Sequence, residues 1–285
     1  MAEIFQKDGT WTFDGATIRI VPGRERGVHL ARQTLGELAV PLTAVAGVSF
    51  EPGRKGGRLR LRLRDGADPL LQAVRGQLPE GADPYQLAVD PGQAGAAEYF
   101  ADEVRNALVV EQVPDGPTDR YLLPGPAVPL SVTAGDGTVT FDGERIGLEW
   151  NWKTDEDKRS AGPRSLALSE IAAAEWQPGR GLENGYLRFL LLGETTKRPP
   201  KTDPHAIQLY GFKKDLLMAL VAAAVTHRLP HPSAPRPALT AEAVRPESDH
   251  DALLRRLREL GELHRLGVLT EEEFSAAKQA VLKRF

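Results

Sequence analysis

The residue types that carry most enzyme chemistry are scattered along this chain. Its 285 residues include no cysteine, which excludes a thiol nucleophile, a disulfide scaffold and a cysteine-ligated metal. The histidines fall in predicted loops, in a linker and at helix ends, and we interpret them as solvated or capping residues. They are His29, His205, His227, His231, His250 and His264. We therefore predict a protein that is not an enzyme and that has no catalytic residue, metal or cofactor.

Two other segments suggest chemistry at first sight. The glycine-rich run 52–57 lacks the Ser or Thr and the helix that follow a phosphate-binding loop, so we predict a hairpin turn there. The acidic run 155–157 lies in a polar segment, 154–162, that also carries Lys158 and Arg159. Mixed charges of this kind predict a solvated loop rather than an acid–base pair.

The strongest local charge feature is a group of six cations within eleven residues. Arginine alternates with leucine here, which places the arginines on one face of a β-strand. This face could bind phosphate-bearing lipid head groups or an acidic protein, or it could be the solvated side of a strand with acids opposite. The net charge of −3 and the lack of interleaved aromatic residues disfavour nucleic acid. The candidate anion-binding residues are Arg54, Lys55, Arg58, Arg60, Arg62 and Arg64.

Two tryptophans and two leucines are candidate interaction residues. Trp150 and Trp152 would share a strand face with Leu148, either in the core or as an exposed aromatic grip for a partner. Leu190 and Leu192 extend the apolar face of a later strand. We hypothesise that this part of the chain packs on the first half or on a partner subunit; a thicker core within the second half alone is the alternative.

An internal repeat organises the first 228 residues. The segment 8–15 recurs as 136–143 with seven of eight residues identical. Three further matches follow in the same order, between 45–54 and 171–180, 59–61 and 187–189, and the Asp-Pro pairs at 83–84 and 203–204. We therefore predict two copies of one small domain.

Each copy is predicted to contain several strands and then one helix. Leu59, Leu61 and Leu63 alternate with arginines as in a half-buried strand. The helix of the first copy has apolar residues at spacings of three and four from Ala97 to Leu108, and that of the second spans about 213–228. The predicted fold class is α+β, with a bent antiparallel sheet or small barrel closed by a C-terminal helix in each copy.

The order of strands and helix, with Phe50 or Trp176 at a strand end before Pro-Gly, resembles the bacterial pleckstrin-homology-like domains. The tandem copies also resemble a bacterial family of unknown function that often occurs in duplicate. The resemblance covers about residues 3–228 and implies a fold, but it carries no set of binding or catalytic residues.

The last part of the chain has a different pattern. Five prolines between 230 and 249 indicate an extended linker. Two short amphipathic helices follow, and they cannot bury their apolar stripes alone, so we expect them to pair with another copy or with the body of the protein. The stripe residues are Leu253, Leu257, Leu260, Phe274 and Val281. The run 260–278 is similar to the short C-terminal domain family called SHOCT, which implies oligomerisation or partner contact.

The predicted organisation has five parts. They are repeat 1 (1–112), a Pro-rich joint (113–129), repeat 2 (130–229), a Pro-rich linker (230–249) and a helical hairpin (250–285).

We expect a cytoplasmic interaction or scaffold protein with no signal peptide and no transmembrane segment. Its repeats would bind a protein partner, and residues 250–285 would mediate homo-oligomerisation or docking. The alternative is a peripheral membrane or anion binder that uses the arginine face.

Overall fold

Short strands with alternating apolar residues build both repeats in the structure, a computed structural model that describes residues 1–54, 56–194, 197–234, 274, 275 and 279. Residues Met1–Ala234 form one compact unit. The predicted linker beyond residue 234 and most of the predicted hairpin, including Leu253, Leu257, Leu260 and Val281, lie outside the described residues. Phe274 is described and is helical.

Repeat 1 contains a four-stranded and a three-stranded antiparallel sheet. The strands of the first sheet are β1 (Ala2–Gln6), β2 (Gly9–Phe13), β3 (Thr17–Pro22) and β4 (Leu38–Pro41). Those of the second are β5 (Val45–Gly53), β6 (Gly56–Leu63) and β7 (Gln86–Val89). Helix α1 (Leu30–Leu35) joins β3 to β4, α2 (Pro69–Val74) follows β6, and α3 (Ala94–Val110) closes the repeat.

Repeat 2 has the same order of strands. Its four-stranded sheet contains β8 (Leu130–Ala134), β9 (Gly137–Phe141), β10 (Arg145–Trp150) and β11 (Arg164–Ala167). Its three-stranded sheet contains β12 (Ile171–Gln177), β13 (Gly185–Leu191) and β14 (Ala206–Leu209). Helix α4 (Glu156–Ala161) corresponds to α1, and α5 (Leu217–Arg228) corresponds to α3, whereas the described residues between β13 and β14 contain no helix that corresponds to α2.

The α+β class and the closing helices agree with the prediction, but the described strands do not form a closed barrel. A short 3₁₀ turn, Leu42–Ala44, follows β4, and β5 then pairs with β6 instead of β4. The equivalent turn of repeat 2, Leu168–Glu170, separates β11 from β12 in the same way. Each repeat therefore has two separate sheets.

The repeated Asp-Gly motif forms the same turn in both copies. The Asp14 carboxylate accepts hydrogen bonds from the backbone N–H groups of Ala16 and Thr17, at 2.9 and 2.8 Å. Asp142 accepts equivalent bonds from Glu144 and Arg145, at 2.8 and 2.7 Å. These bonds occupy donors that the tight turn leaves outside the strand ladder, and the glycine that follows each aspartate has a positive φ.

The core of repeat 1 lies between its sheets and α3. Trp11 and Phe13 each meet Phe100 of α3 edge to face, with ring centroids 6.1 and 6.5 Å apart. These large side chains are buried, because β2 turns its alternate residues toward the helix.

The core of repeat 2 includes residues of repeat 1. Helix α5 is buried from Met218 to Val225 around its whole circumference. Leu70, Ala73 and Val74 of α2 belong to the same hydrophobic cluster. The two repeats therefore pack together through α2 and α5.

Candidate functional site

The four arginine side chains along one face of β6 each contact another group of the protein. Arg58 and Arg60 both form ion pairs with Glu80, and the Arg60 Nη2 to Glu80 Oε1 distance is 2.9 Å. Arg62 donates to the carbonyl of Ala46, whereas Arg64 donates to the carbonyls of Gly116 and Thr43, at 2.7 and 2.9 Å. The leucines between them are buried.

The turn between β5 and β6 confirms the predicted hairpin. Gly53 pairs with Gly56, so the glycine-rich run is a tight connection in an antiparallel pair. Arg54 lies exposed in this turn, and Lys55 lies outside the described residues.

The equivalent strand of repeat 2 is covered by its own loop. Arg188 is buried, with its Nε 2.8 Å from Asp203 Oδ2 and its guanidinium 4.9 Å from the centre of the Tyr186 ring. Leu190 is half-buried, but Leu192 lies just beyond the end of β13 and is 64% exposed. Leu192 is therefore not covered by repeat 1, whose contact with repeat 2 is made by α5, and cover of Leu192 by a partner subunit stays a prediction.

The polar segment 154–162 is not a solvated loop. It forms α4, and Lys158 on this helix is completely buried with Nζ 2.7 Å from Asp136 Oδ2 and 2.8 Å from the Ala206 carbonyl oxygen. Asp136 also accepts a hydrogen bond from the backbone N–H of Gln208, at 2.8 Å. The prediction failed because the partner of Lys158 is far away in the sequence. Asp155 caps the helix by accepting from the N–H of Asp157.

Burial shifts both groups of this ion pair toward their neutral forms. Loss of water raises the pKa of Asp136, and the charge and hydrogen bonds of Lys158 act against that rise. Loss of water likewise lowers the pKa of Lys158, against the attraction of Asp136. The pair therefore holds α4 against the turn between β8 and β9 at a substantial desolvation cost.

Repeat 1 contains the counterpart of this ion pair. Arg32 of α1 is buried and its Nη1 lies 2.7 Å from Asp8 Oδ1, in the turn between β1 and β2. Asp8 and Asp136 are the first residues of the repeated eight-residue motif. The recurrence of this aspartate at the start of both motifs is the sequence feature that could have indicated the two ion pairs.

Trp150 and Trp152 have different surroundings because β10 ends at Trp150. Trp150 is half-buried; its indole N–H donates to the Gly162 carbonyl at 2.7 Å, and Lys158 Nζ lies 5.2 Å from its ring centre. Trp152 follows in a turn and is 82% exposed. The prediction of a shared strand face is wrong for Trp152.

Trp152 forms an exposed aromatic and basic surface with residues that follow β14. Phe212 is 61% exposed, and Lys153 Nζ lies 5.4, 5.8 and 5.7 Å from the ring centres of Trp152, Tyr210 and Phe212. Lys213 and Lys214 border the same groove. We call this surface the repeat-2 patch; it consists of Trp152, Lys153, Tyr210, Phe212, Lys213 and Lys214.

The carboxylate of Asp215 borders the repeat-2 patch but forms hydrogen bonds with backbone N–H groups. Asp215 is buried, and its Oδ2 accepts from the N–H groups of Tyr210, Gly211 and Phe212 at 2.8, 2.7 and 3.0 Å. The lysines therefore determine the charge presented to solvent. Trp152 was predicted from the sequence as an interaction residue but Phe212 was not, because the two turns that carry them are 60 residues apart.

Two histidines that we predicted to be solvated or capping residues lie at the junction of the repeats. His231 is buried and its Nε2 lies 3.0 Å from the Gly66 carbonyl oxygen. The Tyr121 ring lies 5.9 Å from His227 and 4.6 Å from His231, centre to centre. The four-residue spacing of His227 and His231 could have indicated that the two side chains lie close together. They do not share a helix face, however, because α5 ends at Arg228 and Pro230 follows.

Within the described ranges, no three His, Asp or Glu side chains are grouped so that they could hold a metal ion. In the same part of the chain, no helix has the length and apolar character needed to cross a bilayer.

The described unit is a duplicated domain, with two antiparallel sheets and a closing helix in each copy. The model of a family described as a domain of unknown function, DUF4429, matches residues 11–105 and again 139–226. Together the matches cover more than half of the chain, so the chain belongs to this family, and the predicted tandem repeat is confirmed. None of the curated proteins compared with the chain matches it.

Proposed function

We propose that the chain is a non-enzymatic interaction or scaffold protein whose repeat-2 patch contacts a protein partner. The observation that carries this proposal is the exposure of Trp152 and Phe212, at 82% and 61%, on either side of Lys153. Aromatic side chains are enriched at the centres of protein interfaces, where they bury a large area with few rotatable bonds. Two neighbouring aromatic side chains that are both exposed to solvent support a role in binding.

The repeats would act as a rigid platform for this contact. We propose that both are pleckstrin-homology-like domains, which fits their strand order and closing helices. Because α2 and α5 share one core, the patch would keep a fixed position relative to repeat 1. A rigid platform lowers the entropy cost of binding.

The C-terminal residues 250–285 would supply oligomerisation or docking, as their similarity to SHOCT domains implies. Linking several patches in one assembly would raise the effective affinity of a weak contact.

Light scattering of the full chain and of residues 1–234 tests the assembly role. We expect the full chain to have a mass that is a multiple of the monomer and the shorter chain to be monomeric. Equal degrees of association would contradict the role of the hairpin.

Quantitative affinity capture tests the patch. Partners retained by the full chain should be lost with Trp152→Ala/Phe212→Ala and kept with Arg24→Ala/Arg26→Ala. Arg24 lies at the position of repeat 1 that corresponds to Trp152, so these exposed residues form a matched control. Equal capture by both double variants would contradict the proposal.

A second candidate is anion binding through the arginine face of repeat 1. It is favoured by the pairing of two guanidinium groups, those of Arg58 and Arg60, with the single carboxylate of Glu80, which leaves one positive charge uncompensated. Co-sedimentation of the full chain with phosphatidylserine vesicles tests it. We expect binding that Arg60→Glu/Arg62→Glu abolishes; no binding by the parent chain would remove this candidate.

A further inference from the structure

The repeat-2 patch surrounds an open groove of about 440 Å³. The groove is lined by residues around the turn between β8 and β9, by the residues that follow β10 and by those that follow β14. Its volume is comparable with that of small-ligand pockets, roughly 300–1,000 Å³, so side chains of a partner can enter it.

The charge of this groove is positive and open to solvent. Lys153, Lys213 and Lys214 line it and are exposed, and within the described ranges none of the three forms an ion pair. Asp215 is the only acidic residue of the lining, and it is buried. The groove therefore offers three unpaired ammonium groups beside the exposed rings.

The corresponding surface of repeat 1 has neither property. The positions of Trp152 and Lys153 are occupied there by Arg24 and Glu25. The four residues after β7 include no lysine and no aromatic residue, whereas those after β14 include two aromatic residues and a lysine. Since both repeats have the same order of strands, the fold does not require the patch, which indicates a binding role specific to repeat 2.

The position of Lys153 favours a protein segment over a bilayer as the occupant. Its Nζ lies 5.4 to 5.8 Å from the centres of the Trp152, Tyr210 and Phe212 rings. If these rings entered a bilayer, they would carry the ammonium group toward the hydrocarbon, where a charge is costly. A carboxylate of a protein segment can instead pair with Lys153 beside the rings.

We propose that the partner segment bound by the repeat-2 patch is acidic, with carboxylates on both sides of an apolar side chain. This inference rests on the proposed function, because it specifies the chemistry of the protein partner. The apolar side chain packs against Trp152 and Phe212, and the carboxylates pair with Lys153, Lys213 and Lys214. Charge complementarity of this kind accelerates association and selects among partners.

Fluorescence anisotropy of the full chain with a short peptide carrying a neutral dye tests this inference. The probe peptide has a leucine and a phenylalanine between two pairs of glutamates, and the comparison peptide has glutamine in place of every glutamate. We expect the acidic peptide to bind about tenfold more tightly, because several exposed ion pairs act together. Raising the salt concentration from about 50 to about 500 mM should remove most of this difference, since salt screens exposed charges.

Charge reversal provides the matched variants. Lys213→Glu/Lys214→Glu should lower the affinity for the acidic peptide at least to that of the glutamine peptide. Lys7→Glu/Arg54→Glu changes the net charge equally, but these exposed residues of repeat 1 do not line the groove, and the variant should bind like the parent chain. Circular dichroism checks that both variants fold.

Three results would overturn the inference: no binding of the acidic peptide at millimolar concentration, equal binding of the two peptides, or equal affinities of the two charge-reversal variants. Each of them leaves a protein contact through the aromatic rings possible. That contact fails separately, if Trp152→Ala/Phe212→Ala keeps every partner in affinity capture.

A membrane role of the patch is a further outcome of the test. Phosphatidylserine vesicles that sediment with the parent chain but not with Trp152→Ala/Phe212→Ala would assign the patch to a bilayer and overturn the inference. Equal sedimentation of the two proteins, or none, agrees with an acidic protein segment as the occupant.

Discussion

Two buried ion pairs, Asp8–Arg32 and Asp136–Lys158, fasten the helix between the third and fourth strands to the first turn of each repeat. In both pairs the aspartate also accepts a bond from the last strand, through Ala88 or Gln208. One carboxylate thereby links three segments that are distant in the sequence. The pair of repeat 2 is the more deeply buried, since Asp136 is 1% exposed and Asp8 27%.

We expect Lys158→Ala to lower the free energy of unfolding by about 3–5 kcal/mol, because it leaves the Asp136 carboxylate buried without its cation. Guanidinium denaturation of residues 1–234 measures the change. Arg159→Ala is the control, since Arg159 is the exposed neighbour on the same helix, and it should change stability by less than about 0.5 kcal/mol. Similar effects of the two substitutions would show that the pair is unimportant.

His227 makes stability depend on pH near neutrality. Loss of water, and then the charge of Arg228, lowers the pKa of His227 from its ordinary value of 6.5. The folded chain therefore binds this proton less readily than the unfolded chain. The contribution of His227 is complete above pH 6.5 and is lost as the pH falls through the lower folded pKa.

We expect the parent chain to lose more stability than His227→Gln between pH 7.5 and pH 5. Thermal unfolding across this range measures the difference. Parallel pH profiles of the two proteins would mean that His227 does not contribute.

At the scale of elements, α5 differs most from an ordinary surface helix. Its apolar residues follow one another without a polar face, and eight consecutive residues are buried. A helix that is apolar all round must be covered on every side. Strands β8 and β12 cover part of α5, and α2 of repeat 1 covers another part.

Leu70 on α2 should therefore stabilise both repeats. We expect Leu70→Ala to lower the free energy of unfolding of residues 1–234 by about 2–5 kcal/mol, from lost burial and the cavity that remains. Leu182→Ala provides the comparison, because Leu182 is fully exposed, and it should have almost no effect. Denaturant titration followed by circular dichroism would detect the difference.

The elements that the sequence predicted well are those with long local patterns. The alternation of leucine and arginine placed β6, and the spacing from Ala97 to Leu108 placed α3. Helix α2 was missed because it has only six residues, although Asp68 followed by Pro69 is a typical start signal for a helix. The burial of Lys158 and the meeting of Trp152 with Phe212 depend on long-range packing, which no local pattern encodes.

At the scale of the whole described unit, the Pro-rich joint is fixed to repeat 1. The N–H groups of Leu122 and Leu123 donate to the Ala67 carbonyl at 2.8 and 3.1 Å, and Thr118 donates to that of Asp65 at 2.8 Å. His231 bonds to the carbonyl of the intervening Gly66. The loop 65–67 thus holds both the chain that enters repeat 2 and the chain that leaves it.

Repeat 2 should not be stable as a separate domain. We expect residues 113–234 alone to bind the dye ANS and to aggregate, because α5 would lose its cover from α2. Residues 1–234 should bind little dye under the same conditions. A monomeric fragment 113–234 without dye binding would contradict the shared core.

The shared core also sets an order of events during synthesis. Helix α2 leaves the ribosome more than 140 residues before α5 begins, and translation of that interval takes on the order of ten seconds. Repeat 1 can therefore complete its own sheets before α5, whose residues Met218–Val225 are all buried in the folded unit, is made. The N-terminal copy would then serve as a folding template for the C-terminal one, and exchanging the order of the two repeats would expose nascent α5 without its cover from α2.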